Sequence, residues 1–297
     1  MSAVATTHGM RASLTRAGGE PAKERAFRWL LAACAAVGVV TLVVLLGYVL
    51  YKGLGRLNWQ LVANMPSAVT PDTAGAQSAI TGTLWLMGLT AVWAIPTGIA
   101  AAVYLEEYAD TERPVNRLIE VTIMNLAAVP SIIFGILGLA FISRLLGLGP
   151  TLLTGSLTLA LLVLPTVIIA SREAIRAVPR SIRMGSLALG ASQWQTTWRQ
   201  VLPAAIPGMA TGSILALSRA IGEAAPLLML GVAFVRFNPD GLMSSFTALP
   251  VQIYDWTTEA RLEFKELAAA ASAVLLLILL VMNSLAIVLR NKTQKRW

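Results

Sequence analysis

The chain has 297 residues, 56% of them hydrophobic and only 13% charged, with a mean hydropathy of +0.70. A soluble globular domain carries about a quarter charged residues, so this composition suits lipid rather than water. One Cys (Cys34) and one His (His8) exclude a disulfide framework, a zinc cluster and a Cys/His nucleophile pair, and the net charge of +8 has to be read by its placement along the chain before it is read as a nucleic-acid footprint.

Residues 1–26 are rich in Ala, Thr, Ser and Arg and are expected to form a poorly ordered tail in which His8 has no role. Residues 29–51 then carry no charge. A hydrocarbon layer about 30 Å thick is crossed by about 20 helical residues, so this stretch is long enough to span it. A basic leader (Arg16, Lys23, Arg25, Arg28) precedes it, but the apolar run exceeds a signal-peptide core and no small-residue cleavage site follows Tyr48, which makes it a retained span. Further charge-free runs cover 73–105, 121–143, 145–171 and 267–289, and a sixth apolar run, roughly 208–235, is interrupted by Arg219 and Glu223. Only helices close their backbone hydrogen bonds within such a segment. The expectation is therefore an all-α membrane protein with six transmembrane helices, its transmembrane domain over 27–290. Pro96, Pro130 and Pro165 are expected to kink their helices, and Arg172 and Glu173 to anchor the end of the fourth span at the interface.

Six spans place both termini on one side. That side collects Arg11, Arg16, Lys23, Arg25, Arg28, Arg113, Arg117, Arg172, Arg176, Arg180, Arg183, Arg199, Arg290, Lys292, Lys295 and Arg296, sixteen cations. The other collects six: Lys52, Arg56, Arg144, Arg236, Arg261 and Lys265. By the positive-inside rule both termini are cytoplasmic, and the acids Glu106, Glu107, Asp110 and Glu112 between spans 2 and 3 weigh little against it.

The cytoplasmic segment from Arg172 to Pro203 is too long for a turn. Ser181 to Leu189 reads as a short amphipathic helix that Gly190 ends, because glycine takes positive φ freely. Ser192 with Gln195 fits a capping box that opens a second helix, on which Trp194 and Trp198 share a face. One reading is an interfacial helix with two rings at the headgroup level; the other is a docking knob for a cytoplasmic partner. The run Met184-Gly-Ser-Leu-Ala-Leu-Gly190, with Leu202-Pro203 twelve residues on, resembles the EAA motif of ABC-importer permeases. The Gly, the spacing and the Leu-Pro agree, while Met184, Gly185 and Ser186 stand where Glu-Ala-Ala is usual and Gln200 stands at a hydrophobic position. The resemblance implies a coupling helix over Met184, Gly185, Ser186, Leu187, Ala188, Leu189, Gly190, Ala191 and Ser192, seated in a groove of an ATPase subunit.

Two more motifs narrow the family. Ser218-Arg-Ala-Ile-Gly-Glu-Ala-Ala-Pro226 and Pro130-Ser-Ile-Ile-Phe-Gly135 are similar to patterns of phosphate-importer permeases, and Leu249-Pro-Val-Gln-Ile-Tyr254 looks like the PstA-type subunit rather than its PstC-type partner. The resemblance covers roughly residues 77–290. It implies the type I ABC-importer permease fold in a bacterial cytoplasmic membrane, working with a PstC-type permease, a PstB-type ATPase dimer and an external PstS-type binding protein. Nucleic acid has no part in it, and ATP and Mg are held by the ATPase.

Arg219 and Glu223, four residues apart, are expected to pair near the middle of the fifth span, where an ionisable group costs roughly 2.5–3.5 kcal/mol or more. A guanidinium offers a planar fork of donors suited to phosphate oxygens. Arg219, Glu223 and Ser218 are thus the expected pathway residues, and the resemblance implies that Ser131 in the third span lines the pathway too, with plain packing as its alternative. A structural ion pair is the plainer alternative. The chain has no Gly-x-x-x-x-Gly-Lys-Ser/Thr loop for ATP, so energy is expected from a partner ATPase. Three further readings stay open at this stage: a proton-driven carrier using Arg219 and Glu223 as relay, a non-transporting scaffold, and the same architecture serving sulfate or molybdate.

Overall fold

The structure, a computed structural model, describes residues 22–110, 112–232 and 234–293. The expected tail falls outside these up to residue 21, and residues 22–26 already belong to a helix. The chain divides into two compact units, Met1–Tyr51 and Lys52–Trp297. The first holds almost all of helix α1 (Ala22–Gly53), apolar on every face over its charge-free residues 29–51, as a lipid-embedded helix must be.

In the second unit a short helix α2 (Trp59–Ala63) precedes α3 (Gln77–Val103), which runs on through one π-helical turn, Tyr104–Tyr108. Then come α4 (Pro114–Ala127), α5 (Ser131–Leu137, extended by a π-helical stretch Gly138–Leu145) and α6 (Leu152–Arg176). The cytoplasmic segment holds α7 (Arg180–Ala188) and α8 (Gln193–Thr196), the latter continuous through Thr197–Val201 into α9 (Leu202–Ala220). The remainder is α10 (Ala225–Leu230), α11 (Leu249–Thr258) and α12 (Leu262–Thr293). Among the described residues five helices are long and apolar enough to cross a bilayer, and the number is six when α4 and α5, bent by 108° at their break, are taken together as one broken span. Pro130 stands at that bend as the N-cap of α5; the expected kink is a full change of direction.

Helix α6 is the axis of the second unit, packed along α3 on one side and α9 on the other. The α6–α9 seam is made of small residues. A methyl group on Gly208 would press on Ala174 and one on Gly212 on Ala170, so these backbones approach closely at a four-residue interval. In lipid, where apolar burial drives little association, such close approach and the dispersion it brings hold helices together.

The fifth span differs from a single helix over 208–235. Helix α9 stops at Ala220, a turn follows, and α10 ends at Gly231, whose φ of +80° closes it. The local cause is Pro226: in a continuous helix its ring would strike the carbonyl of Gly222 and it has no N–H to give. Beyond Gly231 the chain covers the outer ends of α3 and α6. Ser78 Oγ donates to the Val235 carbonyl (2.9 Å), the Leu152 N–H to the Ser244 carbonyl (2.9 Å) and the Leu249 N–H to Thr83 Oγ1 (2.8 Å).

Candidate functional site

Depth within the membrane can be read from two links between the antiparallel helices α9 and α12. Arg290 Nη1 donates to Thr211 Oγ1 (2.9 Å), and Ser218 Oγ donates to Asn283 Oδ1 (2.6 Å) as well as to the Ile214 carbonyl (2.7 Å). Arg290 marks the inner end of the charge-free run 267–289. Seven residues separate the links on each helix, so Ser218 and Arg219 lie about 10–12 Å outward of Arg290, well inside a hydrocarbon layer of about 30 Å. The hydroxyl of Ser218 is turned toward α12.

Arg219 is in the last turn of α9 and Glu223 in the turn that follows; Arg219 Nε stands 3.6 Å from Glu223 Oε1. The guanidinium side chain is 61% exposed on the chain's surface and the carboxylate 20%. The four-residue spacing thus brings the two charges together as expected, at a helix break rather than on a continuous face. Ser131, half-buried, opens α5 just after the 108° bend.

The structure also joins two of the sequence motifs. Helix α5 packs against α10, and a Cβ on Gly135 would lie 2.6 Å from the carbonyl oxygen and 2.7 Å from the Cα of Pro226. The last residue of Pro130–Gly135 therefore rests on the last residue of Ser218–Pro226, backbone against backbone. Glu223 lies three residues before Pro226.

On the cytoplasmic side α7 ends as the spacing predicts. Gly190 has φ +81°, the Ala191 N–H donates to the Ser186 carbonyl (3.2 Å) and the Gly190 N–H to the Leu187 carbonyl (2.9 Å), the paired bonds of a left-handed helix terminus. Ser192 and Gln195 form the reciprocal capping box that opens α8. The Trp194 and Trp198 rings lie 5.1 Å apart, centroid to centroid. Leu189 is 90% exposed and Met184 66%, so the elbow between the two helices presents bare apolar side chains.

Sequence reasoning missed one cluster. The acids Glu106 and Glu107 at the inner end of α3 meet the arginines of α6 and α7. Glu106 accepts from Arg176 Nε (3.0 Å) and Nη2 (3.1 Å) and from Arg172 Nε (3.4 Å). Arg172 also pairs with Glu120 of α4 (2.9 Å), and Arg183 with Glu107 (2.8 Å). Arg172 is thus a buried, doubly paired residue. The available signal was two adjacent acids at the inner end of one span and three cations at the inner end of another, on the same side of the membrane.

A family model described as "Binding-protein-dependent transport system inner membrane component" matches residues 94–296. The chain is 36% identical over 223 residues to "Phosphate transport system permease protein PstA 1" of Mycobacterium tuberculosis (strain CDC 1551 / Oshkosh), covering 73% of this chain and 72% of that one. It is 35% identical over 206 residues to "Probable ABC transporter permease protein YqgI" of Bacillus subtilis (strain 168), covering 69% of each. Among solved structures, a bacterial ABC transporter involved in the import of the acidic polysaccharide alginate aligns with a TM-score of 0.60 at 19% identity, over 92% of this chain and 99% of that one. The MetNI methionine ABC transporter, in inward-facing conformations, aligns with a TM-score of 0.59 at 15% identity, over 73% of this chain and 95% of that one. The fold is that of type I ABC-importer permeases, and the protein is a multi-pass component of the cytoplasmic membrane. The chain belongs to the family of binding-protein-dependent transport system inner membrane components.

Proposed function

We propose that this chain is one permease subunit of an ATP-driven importer of inorganic phosphate, forming half of the translocation pathway. The observation that carries the reading is Arg219, a guanidinium 61% exposed on the chain's own surface yet about 12 Å inside the hydrocarbon layer. Facing lipid there would cost roughly 2.5–3.5 kcal/mol or more. The cost falls away if that surface borders a second permease subunit and a hydrated path between the two. A forked cation at such a path meets phosphate oxygens in two parallel hydrogen bonds, and Glu223 beside it weakens the grip enough for the anion to leave. Ser218, the neighbour of Arg219 on α9, and Ser131, at the start of α5, are secondary pathway residues in this reading. The likeness to a phosphate transport permease supports the choice of substrate.

The energy comes from another chain. Met184, Gly185, Ser186, Leu187, Ala188, Leu189, Gly190, Ala191 and Ser192 form the coupling elbow, and its exposed Met184 and Leu189 suit an apolar groove on an ATPase. The assembly in this reading contains a PstC-type permease, a PstB-type ATPase dimer and an external PstS-type binding protein. ATP and Mg are bound by the ATPase, and this chain binds no cofactor. Closure of the ATPase pair moves the elbows and switches the bundle between its two facings.

The test is phosphate uptake by the reconstituted assembly in vesicles. Uptake should follow ATP; Arg219→Gln, inserted and assembled, should abolish it, and Arg219→Lys, which keeps the charge without the fork, should retain a fraction. Uptake at the wild-type rate in Arg219→Gln would overturn the role of the guanidinium, and uptake that follows the proton gradient alone would point to a secondary carrier. Transport of sulfate or molybdate in place of phosphate would keep the architecture and change the cargo.

A further inference from the structure

Covalently, the segment carrying the elbow is continuous with only two spans, α6 before it and α9 after it. Helices α3 and α4 have no such connection. We infer that an ionic clamp centred on Glu107 carries the elbow's displacement to the second span, and that a second layer through Arg172 carries it on to α4. The inference rests on the proposed function, because it takes an ATPase to move the elbow.

Glu107 is held from both arms of the segment. Its carboxylate accepts from Arg183 of α7 through Nη2 (2.8 Å) and Nε (3.1 Å), while its backbone carbonyl accepts from the side-chain amide of Gln193, the first residue of α8. Arg183 donates at the same time to the Ile175 carbonyl (2.8 Å) and the Val178 carbonyl (2.6 Å), at and just past the C-terminus of α6. One guanidinium therefore joins α7, the end of α6 and the end of α3. Only 8% of the Glu107 side chain and 20% of that of Arg183 are exposed. An exposed ion pair between flexible side chains holds little, whereas a desolvated pair with its remaining donors satisfied is fixed in geometry and leaves an uncompensated charge when broken.

In the π-helical turn that holds both acids, successive residues still point to different sides of the axis, so Glu106 faces elsewhere. It grips Arg176 through both carboxylate oxygens and touches Arg172, which reaches Glu120 of α4 at 2.9 Å. Leu105 packs in the same place with Ile175, Val178 and Val201. Apolar contacts of that kind tolerate sliding, while directed hydrogen bonds set a register, so the clamp decides whether α3 follows the elbow or slips past it. Glu107 and Arg183 act as positioning residues for the transport step.

The test uses the complete assembly with its ATPase and binding protein in vesicles, with phosphate uptake and ATP hydrolysis measured together. Glu107→Gln, nearly isosteric, should still assemble and hydrolyse ATP but move less phosphate per ATP, by roughly 2- to 30-fold, the range over which network substitutions alter coupling. In a Cys34→Ser background, Glu107→Cys with Arg183→Cys should show the same loss and regain the ratio when a short bifunctional thiol reagent bridges the pair. A role in fold stability alone would lower assembly and leave the ratio unmoved. An unchanged ratio in Glu107→Gln, or no recovery on bridging, overturns the clamp. If the wild-type assembly itself hydrolyses ATP without moving phosphate, the functional reading fails instead, whatever the variants do.

Discussion

Substitution of Gly135 by Ala tests the contact that joins the two motifs. The added methyl would lie 2.6 Å from the Pro226 oxygen, 2.7 Å from its Cα and 2.8 Å from Met229 Cβ. Ordinary carbon contacts sit near 3.5–4.0 Å, so α5 and α10 must part by roughly 1 Å. Two of the three atoms are backbone of a proline, which has no rotamer to turn aside. Overpacking of this kind costs about 1–3 kcal/mol, and backbone contact favours the upper part of that range. The gain in helix propensity from Gly to Ala offsets up to about 1 kcal/mol, leaving a net loss of roughly 2 kcal/mol. For 297 residues, at about 2.1 cal/mol/K of unfolding entropy per residue, that lowers the melting temperature by about 3 °C. Gly88→Ala is the control: a Cβ there meets nothing within 4 Å, so it gains propensity without a clash and should melt at or slightly above wild type. The assay is the apparent melting temperature of the purified chain in detergent at a fixed scan rate, since unfolding of such proteins is often irreversible. Uptake should fall further than stability in Gly135→Ala, because Pro226 lies three residues from Glu223. If Gly135→Ala melts with Gly88→Ala, the close approach of α5 and α10 is wrong.

Two further outcomes are expected. Gly190→Val should weaken co-purification of the ATPase, because a side chain at φ +81° costs about 1–2 kcal/mol in backbone strain although space around it is open; Gly190→Asn, which tolerates that conformation, should retain it. Asp255 lies in α11, outside the spans, where burial and then the neighbouring Glu259 push its carboxyl above the ordinary range. A raised acid contributes stability that is full below its unfolded-state pKa and lost as pH rises through its folded-state value. Asp255→Asn should therefore melt above wild type at pH 7, the gap closing as pH falls into the carboxylate range; a gap independent of pH would refute the assignment.

The long apolar runs, the side on which the cations gather and the helix–glycine–helix elbow were all legible in the sequence. Each is governed by neighbours within a few residues or by the thickness of hydrocarbon, which any stretch of about 20 apolar residues meets in the same way. The break after Ala220 was also written locally, in Pro226, whose ring cannot continue an unbroken helix. What only the tertiary structure decided is who meets whom across the chain. Arg183 finds Glu107 from 76 residues away and Arg172 finds Glu106 from 66, and Gly135 takes the backbone of Pro226. Such pairings follow from how α6 seats between α3 and α9, and small residues such as Ala170, Ala174, Gly208 and Gly212 permit that seating without announcing it. A carboxylate near a membrane edge reads the same in sequence whether it faces water or closes on an arginine; the difference is three-dimensional, because desolvation and a partner arrive together only when the helices have packed.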